Sequence, residues 1–195
     1  MSSTPSVLWD RLSHELFPSN TYHFNSGGDP AHIPDLSYQE LRDFYAEHYH
    51  PSNAIFLTFG DIAAAEHQQV FEASVLHRFE ALERKIEVEL ETSFSAPRQA
   101  VHPYAVDAEE GTEQKTHLIM GWKLGESADL TAMLEAQLVS SVLIENSASP
   151  LMHYLETTDR GTAPSPLCGL EESMREMVFC CGIEGSEAAE ADAFE

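Results

Sequence analysis

Apolar residues recur at helical spacing near the start of the chain. Val7, Leu8, Leu12 and Leu16 share one face, which predicts a helix over residues 5–17 that Pro18 stops. Residues 18–36 then read as a long connection, with Pro18, Gly27, Gly28, Pro30 and Pro34. Gly27-Gly28 permits positive backbone φ, as a tight turn requires. The next helix carries its own start signal. Ser37-Tyr38-Gln39-Glu40 fits a capping box, in which the serine oxygen accepts from the Glu40 amide and the glutamate reaches back. Leu36 and Leu41 stand at the positions of a hydrophobic staple, and Leu41, Phe44, Tyr45 and His48 line one side of the helix. Pro51-Ser52-Asn53 ends it. Ala54-Ile55-Phe56-Leu57-Thr58-Phe59 is a continuous apolar run of strand length, which predicts a strand covered on both faces. Gly60-Asp61 breaks the run. An amphipathic helix is then predicted to about Phe79, with His67, Val70, Phe71, Ser74, Val75 and Phe79 on one face.

The pattern changes between residues 80 and 113. Ile86-Glu87-Val88-Glu89-Leu90 alternates like a half-exposed strand, and Pro97, Pro103 and an acidic patch from Asp107 to Glu113 follow. This reads as a junction. Thr116 to Leu124 predicts a strand. Asp129 is placed to cap a helix to about Ile144, with Leu130, Leu134, Leu138 and Val142 on its core face. Ser149-Pro150 opens a shorter helix with Leu151, Met152, Tyr154 and Leu155. Met177 to Ile183 predicts a last strand, and residues 184–195 form an acidic, Ala-rich tail. The mixture of helices and strands gives an α+β fold class, with antiparallel sheets covered by helices on one face. The expected organisation is a first partial domain over 1–80, a linker with a leading strand over 81–113, and a second partial domain over 114–195.

Charge narrows the partners. The 195 residues carry 33 acidic against 10 basic side chains, a formal net charge of −23. Such a chain is repelled by nucleic acid and by anionic membrane surfaces, so neither is an expected partner. Acidic side chains spread over helix surfaces also simply keep a protein soluble. No apolar run reaches the roughly 18 residues that a membrane-spanning helix needs. The first residues, Met1-Ser2-Ser3-Thr4-Pro5-Ser6, lack a basic segment followed by an apolar one, so the expected location is cytoplasmic. The three cysteines are Cys168, Cys180 and Cys181. Adjacent strand residues point to opposite faces, so Cys180 and Cys181 are poorly placed to pair with each other. No metal-finger spacing occurs, and inert thiols in a reducing compartment are expected.

Three stretches carry a family resemblance. They are Leu16-Phe17-Pro18-Ser19-Asn20-Thr21-Tyr22, Ser26-Gly27-Gly28-Asp29-Pro30, and Tyr49-His50-Pro51-Ser52-Asn53-Ala54. In this order the chain resembles the pitrilysin/insulinase family of zinc peptidases, in its presequence-protease branch. The resemblance is strongest from Val7 to Ile62 and continues, more weakly, through Ser149-Pro150-Leu151 and Gly169-Leu170 to about Gly185. It implies a pitrilysin-like α+β fold within a long protein of four such domains, whose two halves enclose peptides. The implied chemistry is amide hydrolysis by a zinc ion held in an inverted HxxEH helix plus a later glutamate, with the motif glutamate as general base. No HxxEH occurs in these 195 residues. The resemblance starts a few residues beyond the place of the third ligand, so Met1 is expected to be an internal position of a longer frame. No catalytic residue and no metal ligand is therefore carried over, and the substrate-binding residues are not identified. Zinc is expected in the full-length enzyme and no cofactor in this chain. The expected function is that of a fragment, inactive alone, which forms scaffold or chamber wall. The alternative is a natural non-catalytic partner subunit of an active relative. Expected partners are the remainder of a peptidase chain or a ligand-bearing subunit, peptides in the whole enzyme, and other copies of the chain through half-made sheet edges.

Other chemistry is weakly signalled. His48-Tyr49-His50 invites a metal, but residues two apart on a helix diverge by about 200°. His50 precedes a proline and is expected to shape the turn. His67-Gln68-Gln69-Val70-Phe71 lacks a second ligand. Gly27-Gly28-Asp29-Pro30 has no following Lys-Ser/Thr and opens no helix, which makes it a turn rather than a phosphate loop. Ser149, Ser165 and the cysteines stand in no nucleophile elbow.

Overall fold

The structure, a computed structural model, describes residues 3–83, 86–107 and 109–194. It divides into two compact units, Met1–Ser26 with Glu89–Glu195, and Gly27–Val88.

The first unit is built on one antiparallel sheet. Its main strands are β1 (Thr116–Glu126) and β4 (Glu176–Ser186). The short β2 (Ala163–Pro164) and β3 (Gly169–Glu171) also pair with β4. In the central register Met120 lies opposite Cys181, Gly121 opposite Cys180 and Trp122 opposite Phe179. Alternation along β4 sends its side chains into two separate clusters. Val178 and Cys180 meet Leu16 and Phe17 on one side. Cys181 and Ile183 meet Ile144, Leu155 and Phe194 on the other.

Helix α1 (Thr4–Leu16) begins where expected, with Ser3 at its cap and Pro5 in the first turn. It lies so close to the sheet that a Cβ on Gly121 would stand 3.1 Å from Leu12 Cδ1 and 3.2 Å from Leu16 Cδ1. A side chain at position 121 would push the helix away. This packing joins the first 26 residues to the later sheet, which gives a different partition from one cut at residues 80 and 113.

The opposite face of the sheet carries α4 (Leu130–Ile144) and α5 (Pro150–Thr157). Asp129 caps α4 as its position suggests. Its carboxylate accepts from Thr131 N at 2.9 Å and Ala132 N at 3.1 Å. The inward face of α4 differs from the expected one. Leu130, Leu134, Leu138 and Val142 are exposed. The helix instead turns Ala132, Met133, Ala136, Leu143 and Ile144 toward the protein. Glu135 is the sole charge between residues 130 and 144, so α4 is apolar almost all round and periodicity cannot choose between its sides. The sheet takes the side with small residues, which permit close approach. The tail also differs from a plain acidic extension. After β4 a short helix, α6 (Ala191–Phe194), returns Phe194 to the core.

The second unit is helical. Helix α2 (Tyr38–His48) has the full capping box: Glu40 N donates to Ser37 Oγ at 3.2 Å, and Ser37 N donates to Glu40 Oε2 at 2.7 Å. The Ser37 hydroxyl and amide hold the Glu40 carboxyl below its ordinary value. Helix α3 (Ala64–Ser74) stops before Phe79, because Val75 leaves helical geometry and a single tight turn, Leu76–Arg78, follows. The expected strand at 54–59 is absent. Those residues run without a ladder, and Ile55, Leu57 and Phe59 are 95%, 88% and 102% exposed. Phe56 is also exposed, at 53%, and its ring lies 5.0 Å from that of Phe71. Residues 86–90, the last three of this unit and the next two along the chain, form no strand either. A strand exists only with a partner, and the described residues of this unit supply none.

Candidate interaction surface

Polar side chains inside the first unit tie its segments together. Glu91 and Glu176 are both buried. Glu91 Oε2 accepts from Ser19 N at 2.7 Å, and its Oε1 accepts from Ser19 Oγ at 2.7 Å and Thr92 N at 2.9 Å. The Glu91 amide donates to Glu176 Oε2 at 2.7 Å. Lys123 Nζ donates to Thr92 O at 3.1 Å and sits 4.7 Å from the centre of the Phe94 ring. Burial alone would push the Glu91 carboxyl up, but the Ser19 and Thr92 donors and the Lys123 charge hold it below its ordinary value of 4.5. These contacts join residues 72 and 85 positions apart, and no local spacing announces them.

That network makes a pH prediction. A carboxylate whose folded pKa is depressed contributes stability that is fully present above its unfolded pKa and is lost as pH falls through the folded one. Glu91→Gln should therefore destabilise the protein near neutral pH by about 1–3 kcal/mol, the cost of poorly matched buried donors. The gap to the native protein should shrink below the ordinary carboxylate range. Thermal melts of both proteins across that range check this, and a gap that stays constant would contradict it.

The candidate histidines serve local structure. His50 Nδ1 accepts from Ser52 N at 3.2 Å and so shapes the turn at Pro51–Asn53. His48 stacks on Phe44 at 3.9 Å, and its Nδ1 lies 3.0 Å from Phe44 O. His67 stacks on Phe71. Another polar group joins His14, Glu15, His23, Arg98 and His102. There His14 and His23 stack at 3.6 Å, and His102 Nε2 is 2.9 Å from Glu15 Oε1. The His102 ring meets that of His14 edge-on at 6.5 Å. Among the described residues no group of three or more His, Cys, Asp or Glu side chains is arranged to hold a metal ion. Among the described residues no cluster fits the zinc site that the resemblance attaches to the whole enzyme.

Nucleophile candidates are equally quiet. Ser149 and Ser165 are buried, and each hydroxyl accepts from a backbone amide, that of Asn146 and Leu167 respectively. Burial pushes the Cys180 thiol to about 12 and the Cys181 thiol to about 11. It also raises Cys168. Gly28 has φ 79°, and Asp29 Oδ1 accepts from Ala31 N at 2.9 Å, the geometry of a turn. Among the described residues no helix is long and apolar enough to cross a membrane.

Exposed apolar surface is what remains. Ile55, Leu57 and Phe59 point outward from a segment of the second unit whose backbone has no strand beside it. In the first unit the i, i+4 row Leu130, Leu134, Leu138 and Val142 lies bare along α4. A helix that is apolar all round belongs inside a larger core, and bare apolar patches mark interfaces.

Comparison with known proteins gives these faces a context. A family model described as "Peptidase M16 inactive domain" matches residues 35–192. The chain is 32% identical over 180 residues to the mitochondrial presequence protease of Xenopus tropicalis, covering 92% of this chain and 18% of the relative. It is 34% identical over 187 residues to that of Danio rerio, covering 94% and 18%. It is 30% identical over 192 residues to that of Emericella nidulans, covering 98% and 18%. The chain thus spans about 18% of the length of these relatives. With a match across residues 35–192 and presequence proteases as its relatives, the chain belongs to the M16 peptidase family.

Proposed function

We propose that this chain is a non-catalytic section of a presequence-protease-like zinc metallopeptidase and acts as scaffold and chamber wall. One observation carries the reading: apolar side chains that would fill a core lie bare on both units, at residues 55–59 and along α4. The chain folds around fewer layers than its apolar surface calls for. The missing layers belong to the remainder of a peptidase chain or to a ligand-bearing subunit. In that assembly residues 54–59 become a strand with a sheet beside them, and α4 lies between two layers. Metal, general base and peptide cleavage come from the partner. This chain's residues give shape, exclude water and hold the sheet together. Peptides are ligands of the whole assembly only, and zinc is its cofactor rather than this chain's.

Coexpression tests the proposal. The probe is the Danio rerio relative with its matched region deleted. This chain should co-elute with it and restore peptide cleavage that neither piece shows alone. Leu57→Asp should abolish co-elution, because a carboxylate would enter the new sheet unpaired. Separate elution of the two folded pieces would overturn the reading.

A further inference from the structure

The three cysteines lie close together but on different sides of the sheet. Cys180 faces Leu16 and Phe17, whereas Cys181 faces Ile144 and Leu155. Cys168 packs on the Cys181 side. The β3–β4 register sets Gly169 opposite Cys180 and Leu170 opposite Phe179. Continued by one residue, it sets Cys168 opposite Cys181. The sulfur is already there: Gly182 N donates to Cys168 Sγ at 3.3 Å, and the thiol donates to Gly182 O at 3.4 Å, one residue along from Cys181. Directly opposed residues of an antiparallel pair have Cβ atoms about 4.5–5.5 Å apart. A disulfide needs about 3.5–4.5 Å, so the two ranges meet at their edge and the bond asks for a small approach of the two backbones.

Access differs as well. Cys168 is half-buried, whereas Cys181 is sealed in the core. The tight turn in which Cys168 N donates to Ser165 O at 3.1 Å holds Cys168 at the surface end of the pair. We propose that Cys168 and Cys181 are a modification site, a pair that a peroxide converts to a reversible intrachain disulfide. The Cys168 thiolate attacks one peroxide oxygen, the O–O bond breaks, and water leaves once its oxygen is protonated. Cys168 is then a sulfenic acid. The Cys181 sulfur attacks the sulfenic sulfur, the S–O bond breaks, and a second water leaves with the Cys181 proton. Two thiols and one hydrogen peroxide become one disulfide and two waters. The Gly182 amide supports the first thiolate, while burial keeps the thiols mostly protonated and the oxidation slow. Cys180, on the other face, takes no part. The bond fastens the turn that leads into β3 to the central strand.

The test is exposure of the full chain to hydrogen peroxide, thiol alkylation after unfolding, and mass mapping without reductant. The expected product is a Cys168–Cys181 link within one chain, two hydrogens lighter, with Cys180 alkylated. Dithiothreitol should reverse it. Cys180→Ala should leave the link intact, and Cys168→Ser should remove it. The oxidised protein should also melt at a higher temperature than the reduced one, since the link restricts the unfolded chain. A link through Cys180, a link between chains, Cys168 driven to sulfinic acid beside a free Cys181, or three thiols that all alkylate would each overturn the proposal.

Discussion

Phe17→Ala should destabilise the first unit by about 3–5 kcal/mol, the range for truncating a buried aromatic ring. Phe17 has no exposed surface. It closes α1 and packs with Leu16, Val178 and Cys180 over the central strand. Its ring meets Tyr22 edge-on at 5.3 Å, and Lys123 Nζ lies 5.8 Å from its centre. Removing the ring leaves a cavity at the point where α1, the following turn and the sheet join. A domain's whole stability is about 5–15 kcal/mol, so this one change takes a large share of it. Urea unfolding followed by circular dichroism checks the result. A loss of stability below about 1 kcal/mol would mean that α1 does not depend on this contact.

Gly182→Ala should cost about 3 kcal/mol, at the upper end of the range for overpacking. The cause is backbone, not side chain. A Cβ at position 182 would stand 2.3 Å from Leu118 O and 2.9 Å from Ile119 Cα. Neither atom can rotate away, so β1 and β4 must part where Ile119 faces Gly182. Gly125 is the useful control, since its Cβ would meet only Ala132 Cβ at 3.6 Å. Gly125→Ala should change the melting temperature little. Equal losses in the two variants would show that propensity, rather than close strand approach, sets the effect.

These two sites show what a sequence can and cannot convey. Local signals were legible. The Ser37 capping box, the Asp129 cap, the proline that ends α1 and the last strand are each written within a few residues, and each formed. The α+β class followed from them. Choices that depend on a distant partner were not legible. Ala54–Phe59 has the composition of a buried strand, but strand pairing is a relation between segments, and no described segment stands beside it. The α4 helix offers apolar residues on nearly every side, and the sheet rather than the periodicity selected the small ones. Nothing near Glu91 in sequence marks it, and its role comes from Ser19 and Glu176, 72 and 85 positions away. Phe194 sat in what read as a charged tail and is a core residue. For the site, the sequence told more through its motifs than through its histidines. The ordered stretches from Phe17 to Ala54 indicated the peptidase family that the comparisons show. Of the scattered histidines, His50 shapes a turn, and His14, His23, His48 and His67 stack on neighbouring rings.

The central claim is that hydrolytic chemistry is absent from this chain and enters only with the rest of a peptidase. It is tested most directly by purifying the folded chain in zinc-containing buffer, counting bound zinc per chain, and assaying cleavage of a fluorogenic peptide with and without a chelator. The account predicts no stoichiometric zinc and no chelator-sensitive cleavage. One tightly held zinc per chain, together with cleavage that the chelator abolishes, would contradict it.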